Sequence, residues 1–253
     1  FWWEWIHRFL GRLIGLFFLI PLIFFSIKIG FKKLINLYII FFLICFQGFI
    51  GWYMVSSGLV EKVDVSHFRL SLHLLIAFLI LSLIYWNYLK LNNFKFINQK
   101  MNQYIPIFFL ILIFCQITIG AFVSGMDAGK IYNSWPLMGS SYFPDDNQFI
   151  NLFELNVFND PSLVQFIHRN LAYIIILFYL FILFRIFKKK LRDLYFSIKL
   201  IGIILFIQII LGILTLINGA QMFLASMHQI SSIFLVSSCI YFLFLNKNTN
   251  LQP

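Results

Sequence analysis

The stretch Glu4-Trp5-Ile6-His7-Arg8-Phe9-Leu10 is answered 161 positions later by Gln165-Phe166-Ile167-His168-Arg169-Asn170-Leu171. Each copy opens an apolar run long enough to cross roughly 30 Å of hydrocarbon. The register holds further along, where Gln47 and Gly51 meet Gln208 and Gly212. A loop shortened by six residues then brings His73 into line with His228, an offset of 155. In a chain dominated by Phe, Leu and Ile, apolar matches follow from composition alone, so the polar members carry the repeat. The unit of repetition is four helices.

Outward from the repeat, apolar spans are predicted at about 6–27, 33–55, 67–89, 104–125, 163–187, 196–217 and 222–245. With 61% hydrophobic and 11% charged residues among 253, a water-soluble globular protein is excluded. The fold expected is an all-α polytopic membrane protein. Four helices per unit keep both halves in the same orientation, as two tandem four-helix bundles related by a pseudo-two-fold axis along the membrane normal. Eight helices are therefore expected where seven are seen. The span at 104–125, with Gln116 and Gly120 at the recurring spacing, has no counterpart in the first half, and the chain opens on Phe1 rather than Met. The absent partner is expected before Phe1. Residues 1–95 then form the first bundle lacking its first helix, and 96–253 the second, including an outer loop at 126–162.

Placing the basic runs at 28–33, 90–100 and 185–199 with Lys247 on one side gathers 13 of the 19 Lys and Arg there, opposed only by Asp193. The positive-inside rule makes that side cytoplasmic. Glu4, Glu61, Asp64, Asp127, Asp145, Asp146, Glu154 and Asp160 fall on the other. Trp135, Pro136, Pro144 and Pro161 suit the outer loop to a structured cap. Cys45, Cys115 and Cys239 lie inside apolar spans without CxxC or CxxCH spacing, which points away from zinc, dithiol chemistry and covalent c-type haem.

His7, His73, His168 and His228 all fall near the outer ends of their spans. A single intramembrane histidine is most simply a hydrogen-bonded packing residue. Four at matched depth, paired by a repeat, are better explained as ligands, because a metal-bound neutral imidazole is one of the few arrangements that satisfies an ionisable ring in lipid. Two imidazoles facing inward from different helices of a bundle suit axial ligation of haem iron, and the repeat implies two such sites. Zinc would want further Cys, Asp or Glu ligands, while a proton relay needs neither equal depth nor repetition. Arg8 and Arg169 follow the histidines directly and stand where haem propionates would emerge, to be paired by guanidinium. His67 has Met222 as its counterpart and is read as interfacial, as are Arg12 and Arg69.

The repeat breaks at one informative place. Glu4, three residues before His7, is matched by Gln165, three before His168. Residues at i and i+3 share a helix face, so Glu4 lies over whatever His7 ligates and can accept a proton. Gln165 cannot. A reactive first site and an electron-transferring or structural second site are expected.

Several motifs resemble those of the haem A synthase family. They are Trp3-Glu4-Trp5-Ile6-His7-Arg8 with Gly11-Arg12-Leu13-Ile14-Gly15-Leu16, Gly51-Trp52-Tyr53-Met54-Val55-Ser56-Ser57-Gly58-Leu59, and Arg69-Leu70-x-x-His73-Leu74. Gly120-Ala121-Phe122-Val123, Asp127-Ala128-Gly129, Tyr132-Asn133-x-Trp135-Pro136-Leu137-Met138, Gln165-Phe166-x-His168-Arg169 and His228-Gln229 extend the likeness over nearly the whole chain, closest to the alphaproteobacterial and mitochondrial branch.

The resemblance implies an oxidoreductase that converts a ring methyl of haem O to the formyl of haem A for terminal oxidases. By motif, His7 and His73 would ligate the substrate haem, Glu4 would be catalytic, and His168 with His228 would hold a permanent haem B. It implies as partners a farnesyltransferase that makes haem O and an electron acceptor whose identity the sequence does not give, and it is compatible with a homo-oligomer. With no transit segment seen, the expected location is the bacterial cytoplasmic membrane, with the histidines toward the periplasm. The alternative is a di-haem electron-transfer protein of the cytochrome b type. Such modules place haems near both faces, whereas here all candidate ligands share one leaflet. A transporter shares the repeat but gives no reason for four level imidazoles.

Overall fold

A computed structural model describes residues 2–58, 65–92 and 100–247. Leu59, Glu61, Asp64, Lys95, the expected division at 95/96 and the tail beyond Lys247 lie outside the described residues. Among the described residues, seven helices are long and apolar enough to span a membrane: α1 (Trp2–Ile29), α2 (Ile35–Gly58), α3 (His67–Leu91), α4 (Tyr104–Gly125), α5 (Pro161–Lys188), α6 (Tyr195–Ile217) and α7 (Met222–Lys247). No strand occurs among the described residues beyond an isolated bridge between Met138 and Ser141. The protein is an all-α, multi-pass membrane protein. The helical ends fall within a few residues of the expected apolar runs, and α1 and α5 extend beyond theirs at both ends, since in lipid every backbone N–H must be satisfied within its own segment.

Local chemistry sets the boundaries. Asp160 accepts a hydrogen bond from the Leu163 amide at 2.9 Å and Pro161 occupies the first turn, so α5 starts there. α6 stops where Gly219 enters the left-handed region at φ 65°. Within the spans, Ser26, Ser82 and Thr215 return their hydroxyls to the carbonyl four residues earlier, which hides a polar group from lipid.

The chain divides into two compact units, Phe1–Ile84 and Tyr85–Pro253. In the first, α1 packs on α2, and α2 meets α3 through Gln47 and Gly51. In the second, α4 packs on α5, α5 on α6, α6 on α7 and α7 on α4, closing a ring of four helices. Residues 126–160 of this unit are built from turns of 3-10 helix at Ala128–Lys130, Phe149–Phe153 and Val157–Asn159. They are structured throughout, with Ala128 and Met138 fully buried.

Candidate functional site

Each of the four histidines lies in the second turn of its helix, His7 in α1, His73 in α3, His168 in α5 and His228 in α7. In the first unit the rings of His7 and His73 face one another with centroids 6.4 Å apart and planes at 67°. A nitrogen ligand sits roughly 2 Å from its metal, so two imidazoles sharing one ion from opposite sides have centroids roughly 6 Å apart. The pair fits axial ligation of a single iron. In the second unit His168 and His228 stand on α5 and α7, which are diagonal in the four-helix ring.

Three of these histidines are held at their backbone carbonyl by the helix that precedes them, and Gln116 Nε2 also lies 3.3 Å from Nε2 of the His168 ring. The Gln47 amide donates to the His73 carbonyl at 2.9 Å, Gln116 to His168 at 3.1 Å and Gln208 to His228 at 3.0 Å. Four residues beyond each glutamine stands a glycine, and it faces the ring. A Cβ added at Gly51 would lie 3.0 Å from Cε1 of His73, and one at Gly120 or Gly212 would lie 3.1 Å from Cε1 of His168 or His228. Helical side chains tilt toward their own N-terminus. In an antiparallel pair this carries the ring one turn toward the C-terminus of the neighbouring helix, from the glutamine to the glycine.

The imidazoles are incompletely satisfied by protein. Nδ1 of His73, His168 and His228 is buried without a hydrogen-bond partner. No three His, Cys, Asp or Glu side chains come together among the described residues. The donor set therefore suits a metal that brings its own equatorial ligands and asks the protein for two axial ones, which is the chemistry of haem.

Around the first pair, Glu4 and Arg8 are both exposed and form an i, i+4 ion pair at 3.3 Å. Arg69 lies over the Tyr53 ring, 4.9 Å from its centroid. In the second unit the matching residues are committed to the outer loop. Arg169 donates from Nη1 to the carbonyls of Ser134 and Leu137 and from Nη2 to that of Tyr132. Gln165, which is 2% exposed, donates to the same Tyr132 carbonyl at 3.1 Å. Arg169 Nε is the guanidinium donor left unpartnered. The loop is tied down further by Trp135, which donates to the Tyr173 hydroxyl, and Tyr142, which donates to Asn170.

Asp145 and Asp146 fix the far side of this cap. Asp145 accepts from the Ser140 amide and the Ser140 and Ser141 hydroxyls, which hold its carboxyl below the usual range. Burial opposes the charge on Asp146, but hydrogen bonds from Ser162, Tyr132 and Asn147 outweigh it and its pKa is also lowered.

Sequence reasoning used the Gln-x-x-x-Gly spacing only as a register mark. Its role beside the histidines went unread, although one signal was present: each copy lies on the helix immediately before a histidine helix.

Residues 1–240 match the model of the COX15-CtaA family, described as cytochrome oxidase assembly protein. The chain is 48% identical over 254 residues to the haem A synthase of Pelagibacter ubique (strain HTCC1062), covering 99% of this chain and 74% of that protein. It is 40% identical to the haem A synthase of Rickettsia bellii (strain RML369-C), covering 97% and 75%. Identity to the Flavobacterium johnsoniae haem A synthase is 38%, covering 95% and 73%.

Proposed function

Because this chain belongs to the COX15-CtaA family of cytochrome oxidase assembly proteins, we propose that it is a haem A synthase, an oxidoreductase that converts a ring methyl of haem O to the formyl group of haem A. The observation that carries the reading is the pairing of His7 and His73, with ring centroids 6.4 Å apart as one shared iron requires and Glu4 one turn before His7 on α1. In this reading His7 and His73 hold haem O as the substrate, and His168 and His228 hold a resident haem B. That haem supplies a one-electron redox centre in the second bundle.

Two axial imidazoles leave no open position on the substrate iron for oxygen to bind. The oxidation is therefore assigned to loss of two electrons to an acceptor, with water adding its oxygen to the methyl carbon and two protons released. A second such oxidation and loss of water give the formyl group. Glu4 takes a proton from the attacking water or stabilises the positive charge that develops at the carbon. Arg8, one turn along α1, pairs with Glu4 at 3.3 Å and is in a position to pair with a propionate. Arg169, three of whose five N–H donors are spent on the loop, would pair with a propionate of that haem through those that remain.

Bacterial relatives in Pelagibacter, Rickettsia and Flavobacterium support a bacterial cytoplasmic membrane, and the positive-inside distribution supports a periplasmic position for the histidines. A farnesyltransferase is the partner whose chemistry supplies haem O.

Glu4→Gln in the full-length enzyme is the direct test. Retained bis-histidine haem with loss of haem A and of its hydroxylated precursor from extracted pigment is expected, and normal turnover would sink the role. Extraction of haem B alone from the active parent would favour a di-haem electron-transfer protein.

A further inference from the structure

We infer that the three Gln-x-x-x-Gly pairs are positioning devices for the axial imidazoles, setting ring orientation as well as holding helices together. The inference rests on the haem-ligating reading above.

A glutamine-to-carbonyl bond between membrane helices is ordinarily packing glue. Three features make it more than that here. The acceptor is in every case the carbonyl of the histidine itself, at 2.9 to 3.1 Å, so the bond fixes the rotation of the helix at the residue that must aim its ring. The glycine one turn on meets the same ring atom at the same distance in all three copies. Finally, Gly48, beside Gln47 on α2, has nothing within 4 Å of an added Cβ, so small residues are not required on that helix in general.

The chemistry follows from the geometry. The edge of the imidazole between its two nitrogens lies against glycine backbone, with no side chain between them. The ring is thereby seated as far back into the interhelical groove as an imidazole can go. A methyl group at the glycine must push the ring away by a few tenths of an ångström or rotate it about its Cβ–Cγ bond. Either movement changes the angle between the two axial ring planes, and with it the electronic structure of the iron. Gln208 is itself braced, accepting from the Ser231 hydroxyl, while Oε1 of Gln47 and Gln116 is buried without a partner.

The test uses the full-length protein in membranes, read by electron paramagnetic resonance of the ferric low-spin haem and by its midpoint potential. Gly120→Ala and Gln116→Leu should shift the largest g value and the potential of the haem held by His168 and His228. Gly51→Ala should do the same at the His7 and His73 site, whereas Gly48→Ala should leave the parent spectrum. Loss of pigment from Gly120→Ala in protein that remains monodisperse also supports the inference, since the close approach is then required for ligation. If Gly120→Ala fails to accumulate, Gln116→Leu decides. Variants that lower protein yield while g values and potential match the parent would overturn it, reducing the pairs to helix packing. A parent with no low-spin signal would instead remove the haem reading beneath it.

Discussion

The Gln165 side-chain amide donates to the backbone carbonyl of Tyr132 at 3.1 Å, and Arg169 Nη2 reaches the same oxygen at 3.0 Å. This pair explains why the repeat breaks where it does. Glu4 and Gln165 occupy matched positions, but the second must supply a proton donor to a carbonyl of the outer loop, and an ionised carboxylate is an acceptor only. The amide thus serves the cap. The carboxylate at position 4 has no such duty and pairs with Arg8 instead.

Gln165→Glu is therefore expected to destabilise the second bundle. It places an acceptor against an acceptor at a site only 2% exposed, for a cost of about 1–3 kcal/mol from the lost donor and the desolvated group. Thermal unfolding in detergent checks this, together with the rate at which protease enters residues 130–140. A variant as stable and as resistant as the parent would contradict the assignment.

Much of the fold was legible in the sequence because the bilayer imposes a length on apolar segments, and all seven spans were found within a few residues of their observed ends. The meeting of His7 with His73 was legible because a polar residue repeated in an apolar chain stands out from its composition. What the sequence hid was everything carried by backbone. The partner of Gln47, Gln116 and Gln208 is a carbonyl, the atom against Gly51, Gly120 and Gly212 is a ring carbon, and three main-chain oxygens hold Arg169. Residue identity marks none of these, so Arg169 was read for charge alone.

The outer cap should loosen in acid. Asp145 and Asp146 have lowered pKa values in the fold. Their ionised forms therefore add stability that is complete above the ordinary aspartate value of about 3.9 and is lost as pH falls through the depressed folded values. Amide protection across residues 132–146, taken relative to the intrinsic exchange rate at each pH, should hold steady at neutral and mildly acidic pH and fall well below about pH 4. Asp146→Asn should weaken that dependence, since it removes the carboxylate that joins Tyr132 to Ser162. Protection that is indifferent to acid in the parent would show that these carboxylates do not hold the cap.

Asn246 lies in the last turn of α7 and is 1% exposed. Its Oδ1 accepts from the Met101 amide at 2.8 Å and its Nδ2 donates to the Met101 carbonyl at 3.1 Å. One side chain thus satisfies both backbone groups of a buried residue that precedes α4, closing the ring where α7 returns to it. Asn246→Leu would strand that donor and that acceptor together, and at about 1–3 kcal/mol for each buried group left unpaired it should rank among the more damaging single changes outside the histidines. Asn246→Asp keeps the acceptor and loses the donor, so an intermediate loss is expected. Unfolding temperatures ordered parent, Asp, Leu would bear this out, and a leucine variant as stable as the parent would show that the reciprocal pair contributes nothing.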